Sequence, residues 1–129
     1  GYSYSGHPVG AAAALATLAE SQRLGVVANA RARGDELMAA LERLKTRHAI
    51  VGDVRGSGLM AALELVSDRE KKTPMGKGPM QALFDTAYEA GVMLRTSGPN
   101  VIISPCLIIE PRHVAQIESA LDKALTAAT

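Results

Sequence analysis

The chain has 129 residues, with 14 Lys and Arg against 13 Asp and Glu and a formal charge of +1. That length supports one domain with one modest core, and the balanced charge gives neither nucleic acid nor an anionic membrane a basic face to bind. Cys106 is the only cysteine, so no internal disulfide forms, and a lone thiol fits a reducing compartment such as the cytoplasm.

The first residues are not a charged-then-apolar leader, so no signal peptide is expected. Gly1 opens on Tyr-Ser-Tyr-Ser-Gly-His-Pro without a polar tail, and is read as a cut inside a longer protein. Pro8 suits the first turn of a helix. From Val9 to Ala19 every residue is apolar or glycine except Thr17. A helix apolar on all sides must be buried on all sides. The run falls short of the ~20 residues a bilayer span needs, so its expected cover is a missing domain or a second subunit.

After Gly25, an amphipathic helix is predicted from about Val26 to Arg47. Ala30, Leu37, Met38, Leu41 and Leu44 share one stripe, and charged residues cover much of the rest. Gly34 lies inside it at a cost of about 1 kcal/mol relative to Ala. Close approach of another backbone is one reason to tolerate it.

Ile50 to Arg55 reads as a strand, Gly56-Ser57-Gly58 as a turn, and Leu59 to Val66 as a second strand with Leu59, Ala61, Leu63 and Leu65 on one face. Its Leu, Met, Ala and Glu also favour helix. Gly56 to Ala61 fits G-x-G-x-x-[GA], but a dinucleotide fold needs a helix from the second glycine and a further parallel strand. A hairpin turn is the better reading.

Ser67 to Pro79 is polar and proline-broken and is expected to be an exposed, mobile loop, with Arg69, Lys71, Lys72 and Lys77 as a solvated surface. Met80 to Ala90 reads as a helix ended by Gly91. Val92–Arg95 and Val101–Ser104 read as a hairpin around Thr96-Ser97-Gly98-Pro99-Asn100. Leu107-Ile108-Ile109 either extends a strand or lines a wall. Pro111 opens a last helix with Val114, Ile117, Leu121 and Leu125 inward. Strands mostly neighbour strands, so the fold class is α+β, with a small, mainly antiparallel sheet packed with helices. The core is aliphatic, since the chain has one Phe, three Tyr and no Trp.

No complete active site emerges. His7, His48 and His113 lack metal-ligand spacing, so no metal is expected. Cys106 reads as a buried structural thiol. None of the lysines ends an apolar strand, where burial would suit it to covalent chemistry. Two features stand out. Tyr2 to Pro8 clusters hydroxyls and a glycine before a helix, which suits a phosphate, or else supplies Ser5 as an N-cap. Arg95 ends an apolar strand beside a glycine–proline loop, where it either meets a carboxylate in a fork or is an ordinary rim arginine.

Tyr2-Ser3-Tyr4-Ser5-Gly6-His7-Pro8, the alanine-rich helix after it, Val51-Gly52-Asp53-Val54-Arg55-Gly56-x-Gly58-Leu59 with Glu64, Gly91-Val92-Met93-Leu94-Arg95, and Ile102 to Ile109 form an ordered set. Together they resemble the C-terminal small domain of class III, pyridoxal-phosphate-dependent aminotransferases of fold type I. Within these, the chain is most similar to the ω-amino acid or amine–pyruvate branch.

The resemblance implies a homodimer in which residues 1–25 form an interface segment and helix, residues 26–129 form the small α+β domain, and the large domain lies outside this chain. It implies that Ser3, with the backbone at Tyr2, reaches the cofactor phosphate of the neighbouring subunit. It implies that Arg95 pairs with the carboxylate of a small amino or oxo acid substrate and swings away for amines. The catalytic lysine, the aspartate at the pyridine nitrogen and the ring-stacking residues would lie upstream, so no catalytic residue is expected here and the chain alone should be inactive. Ser3 stands for the family's usual threonine, and Ser104-Pro105-Cys106-Leu107 stands where Pro-Pro-Leu is usual. Other reactions of the same family (on 4-aminobutyrate or acetylornithine, aminomutase or decarboxylase chemistry) and a non-enzymatic α+β dimerisation module are the alternatives.

Overall fold

A computed structural model describes all 129 residues, Gly1–Thr129. The elements run α1 (Pro8–Arg23), α2 (Val26–Arg47), β1 (Val51–Ser57), β2 (Met60–Asp68), β3 (Thr73–Pro74), α3 (Lys77–Glu89), β4 (Arg95–Ser97), β5 (Asn100–Ile103) and α4 (Pro111–Ala127). The sheet has the order β1-β2-β5-β4, with β3 paired to the far end of β2, and every pairing is antiparallel.

The α2 stripe packs on β1, α4 packs on α2, and α3 packs on α4. Leu37, Leu41, Leu44, Val51, Leu63, Leu65, Leu83, Val101, Leu121 and Leu125 are fully buried and form the centre of one aliphatic core. Each such side chain contributes about 1.5–3 kcal/mol by leaving water. The ambiguous segment after Gly58 is a strand because β1 and β5 pair with it on both sides. Leu63 and Leu65 alternate inward there, as period 2 requires.

No helix starts at Gly58, so the G-x-G-x-x-A run is a hairpin, with Ser57 opposite Met60. Gly34 has the reason proposed for it. A Cβ there would lie 2.5 Å from the Cα, carbonyl carbon and carbonyl oxygen of Gly58, so the α2 backbone rests directly on the β1–β2 turn.

The segment expected to be a mobile loop is largely structured. β2 runs on to Asp68, Met75 N–H donates to the Leu65 carbonyl at 3.0 Å, and α3 begins at Lys77. Pro74 is tolerated because β3 is an edge strand of two residues. Arg69 is no idle surface cation. Its Nη2 donates to the carbonyls of Lys45, His48 and Val51 at 3.0, 3.1 and 2.6 Å, satisfying acceptors where α2 ends and β1 begins. The hairpin before α4 is also tighter than expected. Val92 to Leu94 are not strand, Arg95 opens β4 rather than ending it, and Ser97 pairs directly with Asn100. Cys106 to Ile109 form a turn, with Ile109 N–H bonded to the Cys106 carbonyl at 3.3 Å.

α1 stands apart from this core. It has no buried residue, and Leu15 and Leu18 are 69% and 61% exposed. No helix is long and apolar enough to cross a membrane.

Candidate functional site

The segment before α1 folds as two successive turns. Ser5 N–H donates to the Tyr2 carbonyl at 3.0 Å and His7 N–H to the Tyr4 carbonyl at 3.2 Å. Ser5 is not the cap of α1. His7 is, through Nδ1, which accepts from Gly10 N–H at 3.3 Å. A ring nitrogen two residues nearer the helix reaches its first turn, and the Ser5 hydroxyl does not. The N–H groups of Tyr2 and Ser3 make no hydrogen bond inside the chain. Tyr2 and Tyr4 are 88% and 82% exposed. Ser3 thus presents a free hydroxyl and a free N–H side by side, a donor pair of the kind an anion takes.

Arg95 sits at the opening of β4, opposite Ile102. It lines a cavity of about 560 Å³ whose walls include Phe84, Leu94, Ile103 and Ile109 and whose polar groups include His113 and Cys106. Four of the five arginines on β1 and α2 are tied to carboxylates: Arg55 to Asp53 and Glu64, Arg43 and Arg47 to Glu118, and Arg33 to Glu36, while Arg31 is not. Arg95 has no such partner in the chain, so its planar fork is available to an outside carboxylate. His113 Nδ1 accepts from Glu110 N–H at 2.9 Å, which in a neutral ring leaves the proton on Nε2. Cys106 is exposed, not the buried thiol expected from its apolar neighbours. Pro105 before it and the turn after it carry the chain over the surface.

Tyr2 and Ser3 do not join Arg95: none of residues 1–8 lines the Arg95 cavity. Within one chain the two candidate groups are separate. No group of His, Cys, Asp and Glu is arranged to hold a metal.

One polar cluster was missed from the sequence. Arg55 Nη1 donates to Asp53 at 3.1 Å and to Glu64 at 2.8 Å, and its Nη2 donates to Asn100 Oδ1 at 2.6 Å. The hydrogen bonds that Arg55 donates to Glu64 and then to Asp53 raise its guanidinium above its ordinary value. Burial is the largest influence on Asp53 and works to raise it. The bond from Arg55, the Val54 N–H and the charge of Lys45 together outweigh it and hold the carboxyl below its ordinary range. The alternation of Asp53 and Arg55 on one strand face was legible. Asn100, 45 residues further on, was not.

An antiparallel sheet ordered β1-β2-β5-β4 with β3 added to β2, packed with α2, α4 and α3 and with an outlying apolar helix, is the architecture of a piece of a fold type I transaminase. An amine transaminase from an uncultivated Pseudomonas species, solved in a PLP-bound form, superimposes with a TM-score of 0.94 at 40% identity, covering 100% of this chain and 30% of that one. A family model described as aminotransferase class-III matches residues 1–125. The chain belongs to the class III aminotransferase family.

Among its curated relatives, the taurine–pyruvate aminotransferase of Bilophila wadsworthia is 34% identical over 130 residues, 95% of this chain and 28% of that protein. The putrescine–pyruvate aminotransferase of Pseudomonas aeruginosa is 32% identical over 128 residues, 97% of this chain and 28% of that protein. The chain therefore spans under a third of the length of these relatives.

Proposed function

We propose that this chain is the C-terminal part of a PLP-dependent transaminase that moves an amino group from an ω-amino acid or amine to a 2-oxo acid such as pyruvate. The observation that carries the reading is Arg95. It is a guanidinium without a carboxylate partner, beside an apolar cavity of about 560 Å³, in a chain similar to enzymes named for transfer to pyruvate. An ω-amino acid and a 2-oxo acid both bear a carboxylate, and Arg95 binds and orients it through two parallel N–H donors.

The donor set of the other candidate group fits one edge of a phosphate: the Ser3 hydroxyl and the unspent N–H groups of Tyr2 and Ser3. These would hold the phosphate of pyridoxal 5'-phosphate bound mainly by a neighbouring subunit in a homodimer. When bound, that cofactor supplies the electron sink for the amino-acid carbanion. The lysine and aspartate that work on it belong to a large domain of the same protein, outside this chain. The apolar α1, which covers nothing here, is suited to pack against that domain or the second subunit.

The test uses the full-length enzyme. Arg95→Ala should raise KM for a carboxylate-bearing amino donor by on the order of 100-fold, the loss of a charge-assisted pair of about 1.5–3 kcal/mol, and leave a plain amine nearly unaffected. Ser3→Ala should speed loss of PLP on dialysis, read by the cofactor's absorbance. Equal loss for amine and carboxylate donors would remove Arg95 from substrate binding. Unchanged retention would remove Ser3 from the phosphate.

A further inference from the structure

The cluster around Arg55 has no task in the activity proposed above, and it leads to Arg95. The register places Arg55 opposite Ala62, Ala62 opposite Ile102, and Ile102 opposite Arg95. Opposite residues on an antiparallel ladder share a face, so the two arginines end one row across four strands.

A chain of hydrogen bonds runs beside that row. Asp53 and Glu64 accept from Arg55 Nη1 at 3.1 and 2.8 Å, and Arg55 Nη2 donates to Asn100 Oδ1 at 2.6 Å. Asn100 Nδ2 then donates to the Ser97 carbonyl at 3.1 Å. Ser97 is the last residue of β4, two positions from Arg95.

β4 needs such support. It has three residues, lies at the sheet edge and pairs only with β5. Its turn, Gly98-Pro99, has Gly98 at φ 57°, which favours glycine at the first position of a two-residue hairpin loop. Beyond the ladder, Leu65 N–H holds the Pro99 carbonyl at 2.9 Å, and Asn100 supplies the remaining tie.

We propose that Arg55, acting through Asn100, is a positioning residue that sets the β4–β5 hairpin so that Arg95 meets the substrate carboxylate. The inference rests on the substrate-binding reading of Arg95. The side chains of Arg55 and Glu64 are 49% and 40% exposed, and exposed ion pairs add little to global stability. The network's effect is therefore local geometry. Lysine could not replace Arg55, since one ammonium does not reach three acceptors in a planar fork.

The test is steady-state kinetics on the full-length enzyme with a carboxylate-bearing ω-amino acid and a plain amine. Arg55→Met should raise KM for the carboxylate donor about tenfold, below the ~100-fold that misplacing a reacting group by 1 Å can cause. It should leave kcat and the amine KM within about twofold. Arg55→Lys should fall between, and Arg55→Met should add nothing in an Arg95→Ala background. Amide exchange should quicken in β4 and not in α4.

A selective effect of Arg95→Ala with none from Arg55→Met would overturn the positioning role and leave the reading of Arg95 standing. So would an Arg55→Met loss that persists without Arg95, which marks a general structural part. An Arg95→Ala enzyme equally impaired on both donors would remove the reading of Arg95 and the positioning role with it. If Arg55→Met does not fold, Asn100→Ala keeps the ion pairs, breaks the link to Ser97, and carries the same expectation.

Discussion

Gly34 shows how one residue answers to its surroundings rather than its own element. Helix propensity favours Gly34→Ala by about 1 kcal/mol. The structure opposes it, since the new Cβ would stand 2.5 Å from three backbone atoms of Gly58. Backbone cannot rotate aside as a side-chain tip can, so the clash wins and α2 must lift off the β1–β2 turn. The expected net effect is a loss of roughly 1–3 kcal/mol, the usual range for overpacking, read as a lower urea midpoint. A stabilised variant would show that the turn yields. Arg69 makes the same point with charge. Its neighbours in sequence mark it as solvated surface, yet it collects three carbonyls from the α2–β1 junction.

Between elements, α2 and α4 are joined by charge as well as by leucines. Arg43 holds Glu118 at 3.0 and 2.6 Å in a two-pronged pair. Arg47 reaches Glu118 and Asp122, each at 3.3 Å, and His48 lies 2.7 Å from Asp122. The bond from Arg43 is the largest reason the Glu118 carboxyl is held below its ordinary value of 4.5, with Arg47 adding to it. A carboxyl lowered by folding contributes stability that is present above its unfolded value and is lost as pH falls through its folded one. Stability should therefore drop as the pH goes below about 4.5, and Glu118→Gln should flatten that part of the profile. Urea midpoints taken from pH 7 to pH 3 would check it. A Gln variant with the same acid slope would assign the loss to other carboxyls, Asp53 first.

At the scale of the whole molecule, the two candidate groups stay apart. Ser3 and Arg95 lie on different parts of one chain, and the proposed function assigns the cofactor-bonding lysine to another domain. The proposal makes the chain inactive by itself. Mixed with PLP, an ω-amino acid and pyruvate, it should form alanine no faster than PLP alone and should release the cofactor on gel filtration. Turnover by the isolated chain would overturn the assignment of the lysine to another domain. The exposed apolar surface of α1 fits the same picture. A solitary monomer has no reason to present Leu15 and Leu18 to water.

The stripes of α2 and α4 were legible because packing follows the 3.6 period directly: Leu37, Leu41, Leu44, Val114, Ile117, Leu121 and Leu125 are all buried. The G-x-G turn was legible as a hairpin because the further parallel strand a dinucleotide fold needs would fall in the charged, proline-broken stretch after Val66. Ser3 and Arg95 were picked out as candidates by local chemistry, and resemblance, not physics, gave them roles.

The sequence by itself therefore determined the helices, the inward stripes of α2 and α4, the G-x-G turn, and which family the chain resembles, since these depend on near-neighbour periodicity and ordered motifs. The tertiary structure alone decided the order β1-β2-β5-β4, the pairing that extends β2 to Asp68, the reason for Gly34, the exposure of Cys106, and the link from Arg55 through Asn100 to the Arg95 hairpin. The strand order, the Gly34 contact and the Arg55–Asn100 link join residues distant in sequence, and such contacts are fixed by how elements share one core and one ladder, which no local pattern encodes.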